Sequence, residues 1–252
     1  GEAEQARILH HVGRVLGREV SLADVAGWLD FGREQDANRV WVVDPIDGTK
    51  GFLRGDQFAV AVALLVDGEP VVGVLACPMM PFGGGGATDP RGTLAAAVKG
   101  QGATAQPFGD GPVRPARVSQ RADPNGARVV ESVEVGHTDH SFSAQVMDLT
   151  GVNGQPVRID SQAKYLAVAD GRAEIYIRRA RDGYSERVWD HAAGVLLVEE
   201  AGGRVTDLYG KPLDFTQGAH LSNNRGILAT NGPLHDDLLQ AIERAREQQA
   251  GG

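Results

Sequence analysis

The sequence predicts an α+β fold, arranged as an α/β sandwich in two halves. Short apolar runs bounded by turn residues recur along the chain, as is typical of strands. Periodic segments that start at capping residues and end at glycines indicate helices between these runs. A stretch dense in turn residues, RADPNGA at 121–127, marks the best candidate domain boundary. We therefore expect an N-terminal half at residues 1–122 and a C-terminal half at residues 128–252.

The N-terminal half is predicted to begin with helices and to continue as strands. Helices are expected at residues 8–16 and 22–31, the second started by Ser21 and ended by Gly32. The predicted strands lie at residues 39–43, 57–66, 70–77 and 93–99. The glycine run at 83–86 lacks the following Lys-Ser/Thr of a phosphate-binding P-loop, so we interpret it as a flexible connection.

The C-terminal half is predicted to mix strands and helices. The expected strands lie at residues 128–133, 157–159, 173–178, 203–206 and 226–229. The expected helices lie at residues 141–149, from 162 after a Ser161 cap, at 190–200 and at 233–248. Asp190 is thus expected to open a helix that closes at Gly202 and Gly203.

Composition restricts the class of protein and its partners. The chain has 252 residues, 42% of them hydrophobic and 23% charged, which is typical of a globular enzyme. A net charge of −8 disfavours nucleic-acid polymers as partners, because binding them depends on clustered cations. The sequence contains neither a membrane-spanning apolar run nor a signal peptide at its start. We therefore expect no membrane partner and a monomer located in the cytoplasm.

Two acid-bearing motifs carry the candidate chemistry: DPIDGT, which begins at Asp44, and WDHAAG, which contains Asp190. Asp47 follows Asp44 by three residues at the end of a predicted strand, where Pro45 fixes the backbone and Gly48 permits a tight turn. Such a turn can aim two carboxylates at one point. Taken singly, an aspartate at a helix start is usually an N-cap, and an Asp-Pro-x-Asp-Gly run is usually a turn. Their co-occurrence, each in a long specific context, favours one hard-metal site for phosphate chemistry.

At these motifs the chain resembles the lithium-sensitive, magnesium-dependent phosphatase superfamily that includes inositol monophosphatase and fructose-1,6-bisphosphatase. Within it, the chain is most similar to the 3′(2′),5′-bisphosphate nucleotidase branch. Three stretches favour that branch: KGFLRG at 50–55, EVGH at 134–137 and DSQAKY at 160–165. Inositol phosphatases typically carry Thr-Asn in place of Lys50-Gly51. The resemblance runs from about residue 28 to about residue 232.

The resemblance implies a layered α/β/α/β/α sandwich of the inositol monophosphatase and sugar phosphatase type, with a magnesium site. Asp44, Asp47 and Asp190 would coordinate two or three Mg²⁺ ions, and the backbone carbonyl of Ile46 would be a further ligand. Oxygen ligands of this kind suit a hard cation better than zinc. Thr49 and Asp47 would be the catalytic residues, the Thr49 hydroxyl helping to orient the attacking water.

The resemblance also implies how a substrate would be held. The backbone N–H groups of Gly48 and Thr49 would receive phosphate oxygens. The side chains expected beside the nucleotide are those of His137, Ser161, Lys164 and Arg178. Of these, Lys164 and Arg178 would bind the 5′-phosphate that is not cleaved.

The reaction implied is removal of the 3′-phosphate from 3′-phosphoadenosine 5′-phosphate, which gives AMP and phosphate. The related sulfated nucleotide, 3′-phosphoadenylyl sulfate, is expected as a second substrate. Two alternatives stay open: an inositol-phosphate or sugar-phosphate phosphatase, and a non-catalytic nucleotide-binding homologue.

One feature of the superfamily is not visible in these residues. Well upstream of the DPIDGT motif, members carry a Glu-Glu pair that supplies a metal ligand. Earlier still, they carry an aspartate that polarises the nucleophilic water. Glu2 and Glu4 lie in a polar, helix-like opening and are typical of solvated terminal residues. Two alternatives stay open: the segment that carries these ligands is missing here, or its residues are not recorded in this sequence. The first alternative predicts a weakened metal site and an incomplete N-terminal layer, and full magnesium-dependent turnover by these 252 residues would contradict it.

Overall fold

The computed structural model describes residues 1–31, 38–83, 91–133, 140–179 and 184–250. The chain divides into two compact units, Gly1–Ala37 and Asn38–Gly252. Among the described helices, none is both long enough and apolar enough to cross a membrane.

The first unit consists of two helices that contact each other, α1 (Glu2–Leu16) and α2 (Leu22–Asp30). Ser21 starts α2 as predicted, because its hydroxyl accepts the Asp24 N–H at 3.1 Å. Helix α1 begins at residue 2 rather than at the predicted residue 8. Its first turn contains two glutamates, which the partial positive charge of a helix N-terminus stabilises.

The second unit begins with an antiparallel six-stranded sheet in which each strand lies beside its neighbours in sequence. Its strands are β1 (Arg39–Asp47), β2 (Ala59–Val66), β3 (Glu69–Cys77), β4 (Thr93–Val98), β5 (Gly102–Pro107) and β6 (Arg114–Pro115). A short helix, α3 (Thr49–Arg54), connects β1 to β2. The last two strands were not predicted, because β5 alternates small residues and β6 has only two residues, so neither gives a strong apolar signal.

A five-stranded sheet follows, with the strand order β10-β11-β9-β7-β8. Its strands are β7 (Val129–Glu131), β8 (Val157–Arg158), β9 (Ile175–Arg178), β10 (Arg204–Thr206) and β11 (Ile227–Thr230). Strand β7 runs parallel to β8 and β9, and the other pairs are antiparallel. The helices of this part are α4 (His140–Thr150), α5 (Ala163–Ala169), α6 (Ala192–Glu200) and α7 (His235–Ala250). Every strand predicted for this half is present, with ends shifted by a few residues.

Helices α5 and α6 lie between the two sheets. Helix α6 packs against β3 and β10, and α5 packs against α6 and β9. Helix α6 approaches both β3 and α5 so closely that glycine is required at two positions. A Cβ on Gly73 would lie 2.8 Å from the Ala193 carbonyl oxygen, and a Cβ on Gly194 would lie 2.3 Å from the Tyr165 ring.

Helices α4 and α7 pack on the other face of the five-stranded sheet and form a second hydrophobic core with it. This core contains Phe142, Leu228 and Ile242. The second unit is therefore layered in the order β/α/β/α, and the predicted α+β fold is confirmed. The candidate boundary at 121–127 lies between β6 and β7. Because both sheets belong to one compact unit, the division into halves at residues 122 and 128 stays a prediction.

The predicted start of α6 at Asp190 is wrong, and most of the predicted glycine connection cannot be compared with the structure. Asp190 does not open α6, because it ends a 3₁₀ turn, Val188–Asp190, and His191 takes the N-cap position of the helix. Asp190 therefore lies in the connection before the helix. Residues 84–86 of the predicted glycine connection lie outside the described residues.

Candidate active site

The first acid motif lies on a β-bulge. Asp44 lies opposite Ala61 on β2. Asp47 lies opposite Ala59, so the β1 segment between the two aspartates contains one extra residue. Pro45 has no N–H to donate to β2, which accounts for the irregularity at this point. Side chains alternate along a strand, so residues three apart normally face opposite sides, and the extra residue brings both carboxylates to one side.

The second acid motif joins the first in space. Asp44, Asp47 and Asp190 each offer one carboxylate oxygen, and these atoms lie within 4.8 Å of one another. Burial and the negative charge of Asp47 raise the pKa of Asp44, against a backbone hydrogen bond from Ile46. Burial, with the charges of Asp47 and Asp44, raises the pKa of Asp190 to about 6. Because like charges repel at this separation, a bound cation would stabilise the ionised cluster.

Ile46 and Thr49 belong to the same segment as the two aspartates, residues 44–49, which we call the acid turn. The Ile46 N–H donates to Asp44 Oδ1 at 3.0 Å, and the Thr49 hydroxyl donates to the Ile46 carbonyl at 3.2 Å. A carbonyl oxygen has two lone pairs, so the bond from Thr49 leaves Ile46 able to bind a cation. With the Ile46 carbonyl, the three carboxylates would give a donor set made only of oxygen, which fits a hard cation such as Mg²⁺.

The turn before α5 lies directly against the acid turn. Ser161 has φ +66°, a left-handed conformation that side chains rarely adopt, and a Cβ on Gly48 would lie 2.8 Å from the Ser161 Cβ. The Gln162 N–H donates to Asp47 Oδ2 at 2.5 Å. The Gln162 side-chain amide donates to the Trp189 carbonyl at 3.0 Å. Gln162 therefore connects the two acid motifs, and the strained serine beside it is typical of a functional site.

A cavity of about 270 Å³ opens beside the acids. Seven of the predicted site residues line it: Asp47, Gly48, Thr49, Ser161, Lys164, Arg178 and Asp190. Asp44 and Ile46 lie in the adjoining turn and are not part of the lining. His137 lies outside the described residues. Residues from distant parts of the sequence thus meet around one cavity.

Lys164 supplies a buried cation to this cavity. Its Nζ lies 3.2 Å from Ser132 Oγ and 5.5 Å from the centre of the Tyr176 ring. Burial lowers the pKa of Lys164 to about 8, with a contribution from Arg178, while Asp47 opposes the shift. The amine is therefore still mostly protonated at neutral pH, so it can bind an anion there.

Arg178 supplies the second cation, and Glu186 compensates it. The Arg178 Nε lies 2.9 Å from Glu186 Oε1. Neither atom has an aligned hydrogen bond to any described residue, so this contact is an ion pair. Burial opposes ionisation of Glu186, but the hydrogen bond from His191 and the charge of Arg178 lower its pKa. The ring of Tyr184 lies over the guanidinium, 5.6 Å away.

For three polar residues of this region, the sequence predicted no role. Asp160 accepts a hydrogen bond from Arg54 Nη2 at 2.7 Å and one from the Val133 N–H at 3.0 Å, so it connects the KGFLRG and DSQAKY stretches. Gln162 connects the acid motifs, and Glu186 pairs with Arg178. Their only signal in the sequence was a position within or beside a motif. Asp160 and Gln162 have partners far along the chain, and the contacts of Glu186 depend on how β9 and the turn before α6 pack together.

Comparison with known proteins confirms the family resemblance that the motifs indicate. A model of the inositol monophosphatase family matches residues 8–247. A rice (Oryza sativa) protein named 3′(2′),5′-bisphosphate nucleotidase is 44% identical over 88% of this chain and 64% of its own length. A protein of the same name from Emericella nidulans is 38% identical over 96% of this chain and 72% of its own length. The chain thus spans less than two thirds of the length of the rice relative.

A solved structure has the same fold. The inositol monophosphatase from Anabaena (Nostoc) sp. PCC 7120 is 31% identical, with a TM-score of 0.62 over 84% of this chain and 74% of its own. The sequence-based prediction of an inositol monophosphatase-type fold is therefore confirmed.

Proposed function

Because the chain belongs to the inositol monophosphatase family, a family of metal-dependent enzymes, we propose that it removes the 3′-phosphate from 3′-phosphoadenosine 5′-phosphate. One observation supports this proposal: a single cavity is lined both by acids of the cluster, Asp47 and Asp190, and by two cations, Lys164 and Arg178. We call the cluster of Asp44, Asp47 and Asp190 the acid end of the cavity, and Lys164 and Arg178 its cationic end. A substrate with two phosphates fits this division, one phosphate at the acids and one at the cations. The names of the rice and Emericella relatives support the same substrate class.

Asp44, Asp47 and Asp190, with the Ile46 carbonyl, would hold Mg²⁺, and we propose two or three ions. When bound there, Mg²⁺ neutralises phosphate oxygens and makes a nearby water more acidic. The carboxylates lie on a bulge and in a 3₁₀ turn held by Gln162, so their spacing is fixed before a substrate arrives. Little reorganisation is then needed at the moment of reaction.

Two residues of the acid turn are the proposed catalytic residues. The hydroxyl of Thr49 is fixed by its bond to the Ile46 carbonyl, next to the aspartates, where it can orient the attacking water. Asp47 is fixed by the Gln162 N–H. The backbone N–H groups of Gly48 and Thr49, which line the cavity, would receive phosphate oxygens. In-line attack on phosphorus then expels the 3′-oxygen of the ribose.

The cationic end would hold the phosphate that stays on the nucleotide. Lys164 offers a point charge and Arg178 a planar guanidinium, and both would contact the 5′-phosphate. Ser161 lines the same cavity beside Gly48, and His137 is the further proposed nucleotide contact. The same pocket would accept 3′-phosphoadenylyl sulfate, whose 5′ group is also anionic. We further propose that the protein is a monomer located in the cytoplasm. Its proposed partner is the small nucleotide, and neither a nucleic-acid polymer nor a membrane is proposed as a partner.

The test is phosphate release by this chain from 3′-phosphoadenosine 5′-phosphate and from inositol 1-phosphate, each followed over a magnesium titration with the nucleotide products separated. We expect magnesium-dependent release from the nucleotide, with AMP as the product. Preference for inositol 1-phosphate would replace the proposal with the inositol-phosphatase alternative. Nucleotide binding without release from either substrate would favour the non-catalytic alternative.

A further inference from the structure

A row of buried polar side chains lies behind the cationic end of the cavity. The Tyr165 hydroxyl lies 2.7 Å from His191 Nδ1, and His191 Nε2 lies 3.0 Å from Glu186 Oε2. The other carboxylate oxygen of Glu186 lies 2.9 Å from Arg178 Nε. Tyr165, His191 and Glu186 are 1%, 1% and 4% exposed, so the row is almost fully buried, and it meets the cavity wall at Tyr165 and at Arg178.

The chemistry of the groups fixes the direction of the hydrogen bonds. A carboxylate only accepts, so His191 Nε2 carries the hydrogen that is donated to Glu186. In the neutral imidazole the Nδ1 lone pair then accepts the Tyr165 hydroxyl hydrogen. His191 therefore holds Glu186 on one side while Tyr165 holds His191 on the other.

The same bonds argue against a second cation site at this place. Glu186, Asp190 and His191 bring ligand atoms within 4.8 Å of one another. Both ring nitrogens of His191 already have partners in Tyr165 and Glu186, so the imidazole is not free to coordinate. The row is suited to holding a side chain in position rather than to binding an ion.

We propose that Glu186 is a positioning residue, which holds the Arg178 guanidinium at the cavity wall for the phosphate that is not cleaved. This inference rests on the proposed function. Glu186 contacts the Nε side of the guanidinium, so its carboxylate does not occupy the two terminal nitrogens. Those nitrogens form the fork that binds a phosphate with two parallel hydrogen bonds. Glu186 thereby sets the preference for substrates with a second phosphate, without touching the substrate.

The experiment measures kcat and KM for 3′-phosphoadenosine 5′-phosphate and for 3′-adenosine monophosphate, which lacks the 5′-phosphate. In Glu186→Gln, which keeps the shape and loses the charge, we expect KM for the bisphosphate to rise about tenfold with kcat within about threefold. The kinetics with the monophosphate should change less than about threefold. Because Glu186 acts through Arg178, adding Glu186→Gln to Arg178→Lys should cause no further loss of preference.

AMP binding without added metal, measured by calorimetry, gives a readout that does not depend on turnover. Glu186→Gln should weaken it about tenfold. Glu174→Gln is the matched control, because Glu174 is a buried carboxylate beside arginines that precedes the opposite end of β9. It should lower stability and leave both the preference and AMP binding unchanged.

An equal effect of Glu186→Gln on both substrates, or additive effects in the double variant, would overturn the inference. If Glu186→Gln does not fold, Glu186→Asp replaces it, since the shorter side chain withdraws from Arg178 and keeps the charge. A folded Glu186→Asp with unchanged preference would also overturn the inference. A wild-type protein without preference for the bisphosphate would instead refute the proposed function, so the two failures are distinguishable.

Discussion

The two ends of the cavity hold opposite charges and compensate them differently. At the acid end, three carboxylates lie within 4.8 Å of one another, and the pKa of Asp190 is raised to about 6. At the cationic end, Arg178 is paired with the buried Glu186, and the pKa of Lys164 is lowered to about 8. The acid end thus brings three negatively charged groups together, whereas at the cationic end the positive charge of Arg178 is paired with the negative charge of Glu186.

This difference assigns different tasks to the two ends. A cluster of like charges is stabilised by a ligand of opposite charge, as expected of a site that takes up cations for chemistry. A cation held by a buried carboxylate keeps its position whether or not a ligand is bound, as expected of a recognition site. Changes at the acid end should therefore abolish turnover, while changes at the cationic end should alter which substrate is preferred.

The largest effect is expected at the acid end. Asp47→Asn keeps an acceptor for the Gln162 N–H and removes one negative charge from the cluster. We expect kcat/KM to fall about a thousandfold or more for every phosphate ester tested, because the whole cation site is weakened. Phosphate release in magnesium is the measurement. Asp110→Asn, an exposed aspartate, is the control, and equal activity of the two variants would break the comparison.

A smaller and selective effect is expected at the cationic end. Lys164→Met keeps the length of the side chain and removes its charge. We expect kcat/KM for 3′-phosphoadenosine 5′-phosphate to fall about 10- to 100-fold, and that for 3′-adenosine monophosphate to fall less than about threefold. Lys99→Met is the control, since Lys99 is exposed and paired with Glu69 on β3. A loss shared equally by both substrates would place Lys164 in the chemistry instead.

The smallest effect concerns stability without metal. Burial first, and then the neighbouring carboxylates, raise the pKa of Asp190 from 3.8 to about 6. The folded state therefore binds more protons between these pH values, so stability falls as pH rises through this window, and the whole cost is present above about pH 6. Asp190→Asn should raise the free energy of unfolding by about 1–3 kcal/mol near neutral pH, with little change near pH 3.8.

Urea unfolding of the metal-free protein in a chelator at the two pH values measures this difference. Asp236→Asn is the control, because Asp236 is exposed, pairs with Arg204 and lies in the first turn of α7. It should give no gain in stability at either pH. A destabilised Asp190→Asn at neutral pH would show that the cluster is held by attraction rather than strained by repulsion.

The acid end was largely predictable from the sequence. DPIDGT and WDHAAG are local patterns with strong backbone signals, and their co-occurrence indicated a shared site. The means of bringing them together was not predictable. The bulge at Pro45 depends on the register of β1 against β2, and the 3₁₀ turn before α6 replaces the expected helix start at Asp190.

The cationic end was predictable only in part. Lys164 and Arg178 were identified from motifs, but the compensating Glu186 was not. Its partners Arg178 and His191 lie on different elements, and a lone glutamate between them has no periodic signal. The same reason explains Gln162 and Asp160, whose contacts span more than 100 residues of sequence to Asp47 and Arg54.

In the proposed function, the acid end cleaves one phosphate while the cationic end holds another. The most direct test is the ratio of kcat/KM for 3′-phosphoadenosine 5′-phosphate to that for 3′-adenosine monophosphate, measured with the unmodified chain in magnesium. We predict a preference for the bisphosphate of about tenfold or more, from one charge-assisted contact to the second phosphate. Equal values for the two substrates would contradict the claim.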